Sequence, residues 1–225
     1  CDSTAILNLT INQADTSYTN ITSCDSAVWN GTTYTQSGTY SYSGAESNNS
    51  SMSFDGADDY VDVQTSSSLD NISTELTVSA WVNPTHLSPD GSHPRIVHRG
   101  TSAGGITDRW YFTWSPTGTI DFGIGIGPSS GVVGSGITPL NTWTHVAASF
   151  DNGQIYIYIN GVLDVSGVSS YNSVGHVQNC NLKIGAALGN SFFPGDIEDV
   201  SIWNTVLTQQ EIQNYMSCPP TGNES

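Results

Sequence analysis

Two clusters of carboxylates carry the clearest chemistry in the sequence. Asp55, Asp58 and Asp59 crowd one turn ahead of Tyr60-Val61, and Asp196, Glu198 and Asp199 crowd a later strand-like run. Hard oxygen donors gathered without Lys or Arg neighbours suit Ca²⁺, which takes about six to eight oxygens. Asp55, Asp58, Asp59, Asp196 and Glu198 are therefore the expected ligands of one calcium ion; the competing reading is solvated carboxylates on an acidic surface. A second set is aromatic. Arg109-Trp110-Tyr111-Phe112-Thr113-Trp114 has aromatics on both parities, and Tyr171, Phe192 and Phe193 sit in segments rich in Gly, Ser and Asn. Aromatic planes stack on sugar rings while Asn, Asp and Arg exchange hydrogen bonds with hydroxyls. Trp110, Trp114, Tyr171, Phe192 and Phe193 are the expected ligand contacts. The alternative is core packing for the two tryptophans and a seal on the sandwich edge for the Phe pair.

Other chemistry finds little support. His86, His93 and His98 lie near Asp90 without zinc-like spacing, which favours a structural loop. His145, between Trp143 and Val146, is expected to be a packed, hydrogen-bonded residue, because no nucleophile accompanies it. No Gly-x-Ser-x-Gly elbow links a strand to a helix. Four cysteines stand at 1, 24, 180 and 218. Their positions favour two disulfides, Cys1–Cys24 and Cys180–Cys218, over the other two connectivities; loops of about 20 to 40 residues would each contribute about 3 to 4 kcal/mol. An oxidising compartment follows.

These groups need a scaffold, and composition limits it. The chain has 225 residues, enough for one sandwich with an appendage. Twenty acidic residues against four basic ones give a formal charge of −16. Such a surface repels nucleic acid and anionic lipid. Only 11% of residues are charged, so Ser, Thr, Asn and Gly build the surface, as in an extracellular β protein. No run approaches the roughly 18 apolar residues that span a bilayer, and no signal-like segment opens the chain, so an exported protein would have lost its signal. Asn-x-Ser/Thr sequons begin at Asn8, Asn20, Asn30, Asn48, Asn49, Asn71 and Asn223.

Residues 1–44 read as a small β segment, 45–51 as a linker, 52–218 as the main domain and 219–225 as a tail. In the first segment Ala27-Val28-Trp29, Asn30-Gly31 and Thr32-Thr33-Tyr34-Thr35 spell a hairpin, since Asn-Gly accepts the positive φ values of a type I′ turn. From Met52, strands are expected at 52–55, 59–63, 76–82, 95–98, 109–114, 118–125, 143–150, 154–159, 162–165, 181–185 and 197–203, a spacing that means an antiparallel sandwich. In Ile155 to Ile159 the isoleucines face the core and Tyr156 and Tyr158 the other side. A short helix is expected at 208–216, capped by Thr208 and Glu211.

Two resemblances sharpen this reading. Cys24-Asp25-Ser26, Trp29 to Tyr34 and Ser37 to Tyr40 resemble the Thr/Tyr-rich repeats of large secreted bacterial surface proteins, which implies a stalk or spacer role. Five collinear blocks resemble the laminin-G-like, concanavalin-A-like jelly roll: Ser53 to Val61, Leu76 to Val82, Trp143 to Ala147, Ile155 to Gly161, and Gly195 to Asn204 with Leu207-Thr208 and Glu211-Ile212. That family implies two antiparallel sheets, the last long strand lying close to the first, and hosts carbohydrate-binding, adhesive and sometimes calcium-dependent modules. Asp196 and Glu198 also resemble the alternating carboxylates of laminarinase-type hydrolases, but the further Glu of that pattern is missing, and a bulge at an edge position explains the run with less chemistry.

The expectation is an all-β jelly roll with a disulfide-closed N-terminal extension and one short C-terminal helix. It is a non-catalytic, extracellular or cell-surface module that binds or adheres, to a glycan or a surface protein. It neither binds nucleic acid nor inserts in a membrane. The rival is a homo-oligomeric fibre or surface-layer subunit assembling through β-edge pairing by residues 1–44; a glycoside hydrolase ranks third.

Overall fold

The structure, a computed structural model, describes residues 51–88, 91–101, 107–125, 130–174, 180–187 and 191–216, together with two strands at 27–29 and 32–34; of those strands, Thr101 and 107–109, only the backbone is described. Fourteen strands and two short helices occur in these residues. They are β1 (Ala27–Trp29), β2 (Thr32–Tyr34), β3 (Met52–Asp55), β4 (Val61–Val63), α1 (Ser67–Asp70), β5 (Glu75–Pro84), β6 (Arg95–Thr101), β7 (Thr107–Trp114), β8 (Thr119–Ile124), β9 (Gly131–Ile137), β10 (Thr144–Asp151), β11 (Gln154–Ile159), β12 (Val162–Val168), β13 (Leu182–Ile184), β14 (Pro194–Trp203) and α2 (Gln209–Tyr215). β1 and β2 pair antiparallel, Ala27 opposite Tyr34, as the Asn-Gly spacing requires.

The rest forms two six-stranded antiparallel sheets. One, here the β5 sheet, has the order β12-β11-β10-β5-β14-β3; the other, the β7 sheet, has the order β4-β13-β6-β7-β8-β9. The jelly-roll expectation is met, and β14 does lie against β3. Alternation along each strand fixes the inner faces. Leu76, Val78, Ala80 and Val82 of β5, Ile155 and Ile157 of β11, and Trp110, Phe112 and Trp114 of β7 enter one core. Tyr158 takes the opposite face and packs with Ala147, Trp203, Leu207 and Ile212 under α2. That helix keeps the expected capping box.

Three features differ from the expectation. β9 went unforeseen because Gly131, Gly134 and Gly136 interrupt its β pattern. It is wider than its partner: Thr119 opposes Ile137 and Asp121 opposes Val133, so three residues of β9 face Ile120 alone. Asp164 of β12 reaches across to this bulge, accepting from Ser135 N at 2.7 Å, Ser135 Oγ at 2.7 Å and Gly136 N at 2.9 Å. α1 is likewise new; Ser66 caps it, and buried Arg99 donates to Leu69 O and Cys180 O while pairing with Asp70. Finally, β14 is no edge strand but lies between β5 and β3. Its expected bulge does occur, between Glu198 and Ser201, with Asp199 at φ 49°.

Cys180 is buried, whereas Cys1, Cys24 and Cys218 lie outside the described residues, as do most of 1–44, the linker 45–50 and the tail. Among the described residues no helix is long and apolar enough to cross a membrane.

Candidate functional site

The outer face of the β7 sheet is built from residues that the core does not take. Since Trp110, Phe112 and Trp114 point inward, Tyr111 and Thr113 point outward. Register then lines up one row across all six strands: Asp62, Lys183, His98, Tyr111, Gly123 and Gly131. The adjoining row holds Arg95, Thr113, Asp121 and Val133. The two glycines explain how Tyr111 lies. A Cβ on Gly123 would stand 2.4 Å from the tyrosine ring, and one on Gly131 2.7 Å from its hydroxyl, so the ring occupies space that any other residue would fill.

Charge and hydrogen bonding surround this ring. The Arg95 guanidinium carbon stands 5.0 Å from the Tyr111 ring centroid, and Arg95 Nη1 donates to Thr113 Oγ1 at 2.8 Å. At the β4 edge, Lys183 Nζ lies 3.6 Å from the centroid of half-exposed Tyr60 and 3.5 Å from Asp62 Oδ1, while Asn181 Nδ2 donates to Asp62 Oδ2 at 3.0 Å. On β8, Asp121 accepts from Thr119 Oγ1 at 3.3 Å and faces His93 Nδ1 at 3.5 Å. Burial pushes the Asp121 carboxyl above its ordinary pKa, and His93 draws it partly back. Thus two of the chain's four Lys/Arg residues, two aromatic planes and two carboxylates share one outer face. Such a strip can hold rings flat while exchanging hydrogen bonds with hydroxyls.

The residues expected from sequence are placed differently. Trp110, Trp114 and Phe193 are 0% exposed and belong to the core, which removes them from any surface platform. Trp114 Nε1 donates to Thr138 Oγ1 at 2.6 Å inside the sandwich, and its ring meets Phe193 edge-on with centroids 6.1 Å apart. Core volume, rather than ligand contact, explains these aromatics. Tyr171 is 43% exposed, its ring against Gly125, and Phe192 is half-buried beside Ser191, whose carbonyl accepts from Arg95 N. Strand parity was the signal that could have exposed Tyr111 and Thr113, because three bulky aromatics at 110, 112 and 114 demand the inner face.

The two acidic clusters separate. Asp55, Asp58 and Asp59 are exposed and bring one oxygen each within 4.8 Å of the others. Two of them are already oriented by the turn: Asp55 Oδ1 accepts from Ala57 N at 2.7 Å, and Asp59 Oδ2 from Asp55 N at 3.1 Å. Asp196 and Glu198 do not join that group. They share the outer face of the β5 sheet, as their spacing implied, opposite Asn83 and Trp81 of β5. His86 and His93 stand in the exposed loop and His98 is buried on β6, while Asp90 lies outside the described residues.

Among solved structures, the chain is similar to domain 4 of AbnA, a GH43 extracellular arabinanase from Geobacillus stearothermophilus, in complex with arabinotriose. They share 26% identity and a TM-score of 0.50 over 64% of this chain and 66% of that one, just under two thirds of its length. The native heptameric SAP-like pentraxin from Limulus polyphemus is 16% identical with a TM-score of 0.57, over 74% of this chain and 81% of that one. The Ruminococcus gnavus IT-sialidase CBM40 bound to α2,3 sialyllactose is 13% identical with a TM-score of 0.58, over 74% of this chain and 97% of that one. These last two likenesses concern the fold alone. No curated protein matches the chain at a significant level. The family model of the concanavalin A-like lectin/glucanases superfamily, in its laminin G form, matches residues 55–213, and the chain belongs to that family.

Proposed function

We propose that the chain is a non-catalytic, extracellular module that binds an oligosaccharide along the outer face of the β7 sheet, with Tyr111 and Tyr60 as ring platforms, Arg95 and Lys183 as hydrogen-bonding groups, and Thr113 orienting Arg95 from beneath. The observation that carries this reading is the alignment of these side chains in two neighbouring rows over a glycine-lined sheet. The likeness to an arabinanase domain in complex with arabinotriose makes arabino-oligosaccharides the first probes. A non-catalytic role is favoured by the placement of Asp196 and Glu198 on the other sheet, away from this strip. The surface location rests on the acidic, Asn/Ser/Thr-rich composition and on the repeat-like residues 1–44.

Calorimetric titration of the full chain with arabinotriose and a glycan panel tests the site. Tyr111→Ala is expected to weaken binding by about tenfold, or 1.4 kcal/mol, with little loss of stability. Trp114→Ala is expected to cost about 3 to 5 kcal/mol of stability instead. Turnover of arabinan, or glycan binding indifferent to Tyr111, would overturn the proposal. Calcium belongs to the same reading: Asp55, Asp58 and Asp59 would hold it beside Tyr60, at the edge of the strip. The thermal midpoint should then fall on chelation, and identical melting curves in calcium and chelator remove the ion.

A further inference from the structure

The outer face of the β5 sheet gathers a second group of polar and aromatic side chains, independent of the glycan strip. Glu198 of β14, Trp81 of β5 and His145 of β10 stand side by side in register. Asn160 closes the row, its Oδ1 accepting from His145 N at 3.0 Å. In the next row Asp196 stands opposite Asn83 and accepts from its Nδ2 at 3.1 Å, and Trp143 precedes the first residue of β10. Glu198, His145 and Asn83 are 4%, 3% and 6% exposed. Nevertheless, among the described residues, Asn83 Oδ1, His145 Nδ1 and Trp143 Nε1 are buried with no hydrogen-bond partner, whereas the Glu198 carboxylate beside them is not wholly enclosed. His145 was expected to be packed and hydrogen-bonded: it is buried and its backbone N donates to Asn160, while its ring meets Trp81 edge-on, with centroids 5.4 Å apart.

Leaving a buried polar group unpaired forfeits its hydration without return, and native structures rarely gather several in one place without a ligand or water to account for them. The charge around these groups indicates what would pair with them. Asp196, Glu198 and Asp199 are acidic, whereas Arg95 and Lys183 lie on the other sheet's outer face and Arg99 lies beneath α1. Burial holds His145 neutral at physiological pH. Acceptors therefore outnumber donors: the Glu198 carboxylate and Asn83 Oδ1 against the Trp143 N–H. The metal-like convergence found among the described residues is at Asp55, Asp58 and Asp59, not here.

The geometry points to a binding site for an organic ammonium group, with Glu198 and Asn83 as acceptors and the Trp81 indole as its apolar, electron-rich wall. A primary ammonium offers three donors and no acceptor, and it is attracted to an indole face. An amino sugar and a lysine side chain both present this group.

The full chain is titrated calorimetrically, at fixed ionic strength, with n-butylammonium chloride and with the neutral N-butylacetamide. Saturable binding of the ammonium alone is expected, weakened at least about tenfold in Glu198→Gln, while binding of arabinotriose is unchanged. D-glucosamine and Nα-acetyl-lysine amide, titrated in parallel, tell the sugar source from the peptide source by which binds tighter. Absence of butylammonium binding, equal binding of the neutral analogue, or full binding by Glu198→Gln overturns the proposal. Asn83→Ala serves as the second variant should Glu198→Gln not fold, with the same two outcomes.

Discussion

At His145 the imidazole is enclosed between Trp81 and the neighbouring strands, and burial lowers its pKa from 6.5 to about 4. Between those values the unfolded chain takes up a proton that the folded chain refuses. Stability through this residue is therefore complete above about pH 6.5 and falls as the pH drops toward 4, by at most about 3 kcal/mol. Asp121, Glu198 and Asp199 work in the opposite direction, since burial raises their pKa values and the folded chain keeps their protons to higher pH. His145→Gln isolates the histidine: its thermal midpoint should decline less than that of the parent between pH 6.5 and 4, and parallel declines would refute the assignment. The sequence marked His145 as packed but not whether its ring nitrogen finds a partner, because a histidine in an alternating strand looks the same either way. Trp110 and Trp114 differ: their type suggested a ligand, whereas the alternation of Trp110, Phe112 and Trp114 already marked one parity as the inner face.

Helix α2 was readable because its signals are local. Thr208 Oγ1 accepts from Glu211 N at 3.3 Å, and Glu211 Oε2 accepts from Thr208 N at 2.8 Å. Thr208→Ala should lower stability by about 1 kcal/mol in a denaturant titration, and an unchanged midpoint would show that packing on Ile212 alone holds the helix. Most strands were readable for the same reason, with β3 and β11 found at their expected limits. β9 was not, because its glycines answer to distant neighbours. A Cβ on Gly134 would meet Ile120 O at 2.6 Å, and one on Gly136 would meet Ile159 Cδ1 at 2.7 Å. The glycan strip shares this cause: its rows join six strands far apart in sequence, and only register brings Lys183 beside His98 or Gly123 beside Tyr111.

Across the whole molecule, the two groups of side chains occupy opposite outer faces of a sandwich whose sheets pack about 10 Å apart. Groups separated by a rigid core and sharing no partner act additively. The double variant Tyr111→Ala/Glu198→Gln should thus lose arabinotriose and butylammonium binding by the same factors as the single variants, and a coupling beyond about 0.5 kcal/mol would mean that the faces communicate. The reach of Asp164 from β12 to the bulge of β9 bears on how copies of the chain could join. A strand arriving along that flank would find backbone amides already claimed by a carboxylate, and would have to strip a charged cap before gaining its first rung. At Ser135 and Gly136 this flank therefore resists strand addition, while the short strands β3 and β4 lie at the opposite sheet margins.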